Sequence, residues 1–147
     1  MSEMLEPLID AELRAFVESP CSLIVGTVDD GGLPDATRAW GAEVQADGRQ
    51  LRLLVATNAD VSLANLRANG RIALTATNFV TNDSTQLKGC VTTVEERTSA
   101  DQIRFEAYCA RCIQVLIEVD RAPAELVGRM IPPGVVACVM TVDVRHG

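Results

Sequence analysis

The turn signals in the first third of the chain restrict its fold more than any other feature. Asp29-Asp30-Gly31-Gly32 separates two β-favouring runs, Cys21 to Val28 and Pro34 to about Val44, and Asp47-Gly48 separates the second run from Leu51 to Ala56. Aspartate and glycine supply the backbone conformations of tight hairpin turns, and connections this short can join only antiparallel neighbours. A doubly wound α/β fold needs a helix between most strand pairs, so it is disfavoured. The chain begins as a three-stranded meander.

From Asp60 the pattern changes. Val61, Leu63, Ala64, Leu66 and Ala68 fit a short amphipathic helix that stops at Asn69-Gly70. Strand spacing resumes over Arg71 to Thr77 and Thr85 to Val94, joined by the polar segment Asn78 to Ser84, and a sixth strand runs from Val135 to Val144. Ser99 is placed to cap the longest helix, Ala100 to about Val119, with Ile103, Ala107, Ala110, Ile113, Leu116 and Ile117 as its apolar stripe. Ala124 to Met130 reads as a shorter helical turn ended by Pro132-Pro133-Gly134. At the start, Asp10 caps a lead-in helix carrying Leu13, Phe16 and Val17, which Ser19-Pro20 ends. Six strands with short covering helices and one long helix before the last strand predict a mainly β, α+β domain. The expected architecture is a closed or nearly closed antiparallel barrel formed by residues 1–147 as one domain.

Composition narrows the partners. A formal net charge of −7 repels polyanions, so a broad phosphate-backbone footprint is not expected. With Trp40 the one tryptophan and Tyr108 the one tyrosine, there is no series of stacking platforms for single-stranded bases either. Five cysteines scattered through apolar stretches suit buried thiols in a reducing compartment better than a disulfide framework. Met1 to Pro7 carries no basic run followed by an apolar one, so the expectation is a cytoplasmic protein without signal peptide or membrane span.

Few residues are suited to chemistry. The single histidine, His146, is penultimate, which argues against a histidine triad or metal cluster. Cys109 and Cys112 form a CxxC, but one inside the long helix with no second pair; at i, i+3 they share a face that packs on the barrel, and no metal site is assigned. Ser84, Gln86 and Lys88 alternate onto one face of the fifth strand. Lys88 is the only lysine, and it is either a solvent-facing charge that discourages edge pairing or a ligand for a phosphate or flavin. Arg38 and Trp40 share a face of the second strand, with Trp40 readable as core or as a cofactor platform. Thr57-Asn58, just before the short helix, offers a hydroxyl, an amide and helix N-terminal donors to an anion, or a plain loop and cap.

Taken in order, Arg38-x-Trp40, Thr57-Asn58 with Ser62, Asn65-Leu66-x-x-Asn69-Gly-Arg71, and Ser84-x-Gln86-x-Lys88-Gly89 resemble the pyridoxamine 5′-phosphate oxidase-like, FMN-binding split-barrel superfamily, over about Leu13 to Arg145. The resemblance implies a six-stranded split barrel that pairs into a homodimer with FMN in clefts between the subunits. Carried over, the flavin-holding residues are Arg38, Trp40, Thr57, Asn58, Ser62, Ser84, Gln86 and Lys88. One departure stands out: many flavin-binding members place a basic residue at the start of the short helix, where this chain reads Asp60-Val61-Ser62-Leu63. The chain also stops soon after its sixth strand, without the extension that completes the substrate site of true pyridoxamine phosphate oxidases, so that activity is not expected.

Two functions follow as expectations. One is an FMN-dependent oxidoreductase in which the flavin carries the chemistry and no protein acid or base need be assigned. The other is a non-catalytic protein that holds a flavin, deazaflavin, haem or other planar ligand in the same cleft. Both take a small planar ligand at a homodimer interface and neither involves nucleic acid or membrane.

Overall fold

The computed structural model describes residues 8–146; the reading of residues 1–7 and of Gly147 lies outside them. The elements follow in the order α1 (Ala11–Glu18), β1 (Cys21–Val28), β2 (Pro34–Val44), β3 (Gln50–Ala56), α2 (Asp60–Ala68), β4 (Arg71–Asn78), β5 (Ser84–Glu96), α3 (Ser99–Asp120), α4 (Ala124–Gly128) and β6 (Val135–His146). All six strand pairings are antiparallel, and they close a barrel in the order β1-β2-β3-β6-β5-β4. The α+β barrel expected from the turn signals is therefore the fold. Its hairpins follow those signals, and the long return through α3 and α4 lets β6 enter between β3 and β5.

Alternation sorts the strand residues into two layers. Leu23 and Val25 of β1, Leu51, Leu53 and Val55 of β3, Leu74 of β4, Leu87 of β5 and Met140 and Val142 of β6 fill the barrel and are all buried. Burying such a side chain contributes roughly 1.5–3 kcal/mol, so this layer is the main source of stability. A second cluster lies outside the barrel, where Leu54 of β3 and Val135 and Ala137 of β6 meet Phe105 and Cys109 of α3. This is why β3 is apolar without alternation from Leu53 to Ala56: that part is covered on both faces.

Helices close both ends. α1, capped by the Asp10 carboxylate accepting from the Leu13 N–H at 2.8 Å, packs Leu13 and Val17 where β1 begins and β2 ends. At the other end α2 buries Ser62, Leu63, Asn65 and Leu66, whereas Val61, Ala64 and Ala68, expected on the apolar face, are exposed. The difference has a polar cause. The β1–β2 hairpin presents hydrogen-bonding groups to this helix: the Ser62 hydroxyl donates to Asp35 at 2.6 Å, Asn65 to Thr27 at 3.1 Å and Asn69 to the Val28 carbonyl at 2.8 Å.

α3 also departs from the expected face and cap. Its N-cap is Thr98, not Ser99, and Thr98 and Asp101 exchange side-chain and backbone hydrogen bonds in a capping box. Asp101 in addition accepts two hydrogen bonds from the Arg52 guanidinium, at 2.8 and 2.7 Å. That pair turns Asp101, Phe105, Cys109 and Cys112 toward the barrel and leaves Ile103 68% exposed, although periodicity alone had placed Ile103 inside. Gly41 permits the approach. It sits in the bulge of β2 at φ +141°, and a Cβ there would come within 3.2 Å of Leu54 and 3.3 Å of Arg104.

The Cys109 and Cys112 thiols pack against the barrel as their spacing implied, and burial raises both pKa values, that of Cys109 to about 11. Burial also raises Cys21 and Cys138 to about 11, whereas Cys90 is exposed. Under native conditions a thiol reagent should therefore modify Cys90 first, and the other four only as the protein unfolds; rapid labelling of Cys109 or Cys112 would refute their packing. Replacing both by alanine should cost about 1–2 kcal/mol in denaturant melts.

Hydrogen bonds from Arg52 hold the Asp101 pKa down at about 2. A carboxylate whose folded pKa lies below its unfolded value near 3.8 stabilises the fold above about pH 4 and loses that contribution as pH falls toward 2. Asp101→Asn should cost about 2–4 kcal/mol near neutrality, since it strands the half of the pair that remains. The gap to wild type should shrink between about pH 4 and pH 2, and a pH-independent gap would show that the loss is packing alone.

Candidate functional site

With α3 laid over β2, β3 and β6, none of the described helices lies along the outer face of β1, β4 and β5, and the strand register decides what it presents. Arg38 pairs with Ile24, Ile24 with Thr75, Thr75 with Gln86 and Gln86 with His146. The adjacent row runs Ala36, Gly26, Ala73, Lys88 and Val144, and a shorter row runs Ser22, Thr77, Ser84. Arg38, Ser84, Gln86 and Lys88 therefore lie on one outer face. Three strand steps separate Arg38 from Gln86, which is about 14 Å. Ile24 and Thr75 form the floor between them, and the adjacent row is made of the small residues Ala36, Gly26 and Ala73. Gln86 donates to Thr75 at 3.4 Å, and Arg38 reaches Ser22 at 3.5 Å.

Arg38, Trp40 and Asn58 converge at the β2 end of this face. They line a pocket of about 460 Å³ whose remaining wall is Arg129 to Pro133, the segment between α4 and β6. Thr57 holds that segment: its N–H and its hydroxyl both donate to the Gly134 carbonyl, at 3.0 and 3.3 Å. The threonine therefore builds the rim, and the N-cap of α2 is Ala59, without a side-chain cap. Trp40 packs against the cluster of Leu54, Phe105 and Val135 and also lines the pocket.

Arg129 is the residue that sequence reasoning missed. No strand pattern or motif marks it, and only the contact between the β3–α2 and α4–β6 loops brings it opposite Arg38. Among the described residues, neither arginine enters an ion pair and no carboxylate lines the pocket. Two like charges facing one cavity in an acidic protein favour an anion there.

The remaining residues lie elsewhere. Lys88 borders a separate pocket of about 490 Å³ with Arg71, Gly26, Gly89 and Asp143, and Ser84 is exposed beside it on β5. Gly89 lets β6 pass close to Lys88, since a Cβ would fall 1.8 Å from the Thr141 carbonyl oxygen. Ser62 is fully buried with its hydroxyl engaged by Asp35, so it joins neither pocket. Within one chain the predicted residues thus fall into two groups at opposite sides of one exposed face. Among the described residues there is no cluster of histidine, cysteine, aspartate or glutamate that could hold a metal ion, and no helix long and apolar enough to cross a membrane.

Solved structures of the same fold span nearly the whole chain. An F420 reductase is 15% identical with a TM-score of 0.60, over 97% of this chain and 98% of that one. HupZ of Group A Streptococcus is 15% identical with a TM-score of 0.58, over 94% and 92%. An FMN-binding protein from Syntrophomonas wolfei is 14% identical with a TM-score of 0.57, over 90% and 81%. No curated protein matches this sequence. The family described as Pyridoxamine 5′-phosphate oxidase matches residues 9–146, which is all but one of the described residues, and the chain belongs to that family.

Proposed function

We propose that the protein is an FMN-binding oxidoreductase that works as a homodimer, with each flavin held between the Arg38 half-site of one subunit and the Ser84, Gln86 and Lys88 half-site of its partner. The observation that carries this reading is the split itself. Polar residues suited to a flavin occupy one face that none of the described helices covers, yet Arg38 and Gln86 stand about 14 Å apart across a floor of Ile24 and Thr75 flanked by Ala36, Gly26 and Ala73. A second copy laid on that floor would bring complementary halves together. The family and the FMN-binding protein of similar fold support the choice of ligand.

When bound, FMN supplies the hydride or electron chemistry. The chain's residues orient it and exclude water. Arg38 offers charge-assisted hydrogen bonds to the phosphate, Asn58 an amide, and Trp40 an aromatic surface, while Gln86 and Ser84 of the partner offer donors and acceptors to the ring edge. Lys88 supplies the second cation. No side chain need act as acid or base.

A second reading is favoured by one observation, the absence of a basic residue where α2 begins. Ser62 is sealed against Asp35 there and Asp60 adds a negative charge. Weak phosphate retention suits a protein that carries or senses a flavin, deazaflavin, haem or other planar ligand without turning it over.

The absorbance spectrum of the purified protein, before and after adding FMN, separates these readings. Flavin bands that bleach on addition of a reductant and recover support the oxidoreductase; a Soret-type band supports the haem form of the second reading. Because a charge-assisted contact is worth roughly 1.5–3 kcal/mol, Arg38→Ala and Lys88→Ala should each weaken FMN binding about 10- to 100-fold and leave riboflavin binding nearly unchanged. Equal losses for both flavins would make these residues shapers of the cleft, and unchanged FMN affinity in both variants would remove them from it. Sedimentation of the flavin-loaded protein should give a dimer, whose interface buries over about 1,000 Å². A monomer would overturn the shared cleft.

A further inference from the structure

A recess of about 30 Å³ between α3 and β2 adjoins the pocket between Arg38 and Arg129. It shares Arg38, Trp40, Met130 and Ile131 with that pocket, and apart from Arg38, the Tyr108 hydroxyl and the Cys109 and Cys112 thiols its lining is apolar. The chain has five aromatic residues, and three of them, Trp40, Phe79 and Tyr108, line this recess together with Leu116. The barrel interior itself is filled by aliphatic side chains, and Trp40 and Tyr108 pack on the barrel from outside while also lining the recess. The Tyr108 hydroxyl is already satisfied, since it donates to the Cys21 carbonyl. A water site takes at least about 10–15 Å³ by this kind of measure, so the recess has room for two or three methyl-sized groups and offers water few partners.

From this juxtaposition we infer that the cleft takes, beside the flavin, a small organic anion with a short branched aliphatic end. The apolar end seats in the recess between Trp40 and Leu116, and the anionic group meets Arg129 at the mouth. Charge complementarity selects the anion: Arg129 and Arg38 border the opening, and among the described residues no carboxylate lines either the recess or the pocket. Size selects the tail, because a whole aromatic ring exceeds the recess. Naming this anion the substrate rests on the flavin reading proposed above; its binding does not.

Trp40 makes the inference directly testable, as the single tryptophan of the chain stands in the wall shared by recess and pocket. Titrating flavin-free protein with 4-methylpentanoate should give a saturable change in tryptophan emission. The neutral 4-methylpentanamide should bind about 10-fold or more weakly, and acetate should give no saturable change. Arg129→Gln, at an exposed position, should erase the preference for acid over amide. Leu116→Phe, which fills the recess, should abolish the response to both; the arginine variant decides the matter if that protein fails to fold. No response to the acid, or equal affinity for acid and amide in the wild type, would overturn the inference. Separate FMN titrations keep the two readings apart: flavin binding without acid binding removes the recess alone, and acid binding without flavin binding removes the flavin alone.

Discussion

The ion pair between Arg52 and Asp101 is the constraint on which the placement of the site depends. Asp101 is almost completely buried, and its two hydrogen bonds from Arg52 sit at the first turn of the longest helix, where it also closes the capping box with Thr98. A buried ion pair adds little net stability because desolvation offsets most of the attraction, but it tolerates only one geometry. Here that geometry sets the rotation of α3. Once Asp101 faces β3, residues at successive helical turns must follow, so Phe105, Cys109 and Cys112 cover β3 and β6 while Ile103 is turned outward. Covering those strands leaves the face of β1, β4 and β5 open. Arg38, Ser84, Gln86 and Lys88 lie on an open face because the helix is pinned elsewhere.

The ends of the barrel obey a similar logic. α2 is held less by its apolar residues than by Ser62, Asn65 and Asn69, each engaged with the β1–β2 hairpin. Those are the residues that resemble a ligand-binding motif in sequence. In the structure they tie a helix to a hairpin, and that connection fixes the loop before α2, where Thr57 grips the Gly134 carbonyl and Asn58 reaches the pocket. A motif can thus persist for architecture while its position relative to a ligand is one layer removed.

What could be read from the sequence follows from range. The hairpins were legible because Asp-Gly turns and period-2 runs are local, and β1 and β2 end where those signals place them. The apolar face of α3 was not, because its rotation depends on a partner 49 residues away in β3 that no helical pattern encodes. For the same reason Arg38, Trp40 and Asn58 could be suspected from alternation and loop chemistry, whereas Arg129 could not. Nothing in its neighbours distinguishes it until the α4–β6 loop is laid against the end of β3.

Electrostatics gives this late-arriving arginine its weight. The chain carries a net charge of −7, so its long-range field repels the anions that both proposed ligands present. At physiological ionic strength that repulsion is screened over about 8 Å, while contacts within a partly enclosed pocket are screened much less. Recognition of an anion must therefore come from cations at contact distance and free of competing carboxylates. Arg52, Arg104 and Arg145 do not qualify, since each is paired with an acidic side chain. Arg38 and Arg129, which among the described residues make no ion pair and share one pocket, do. An acidic protein of this shape attracts an anion only where its own acids have been kept out, and the mouth of this cleft is such a place.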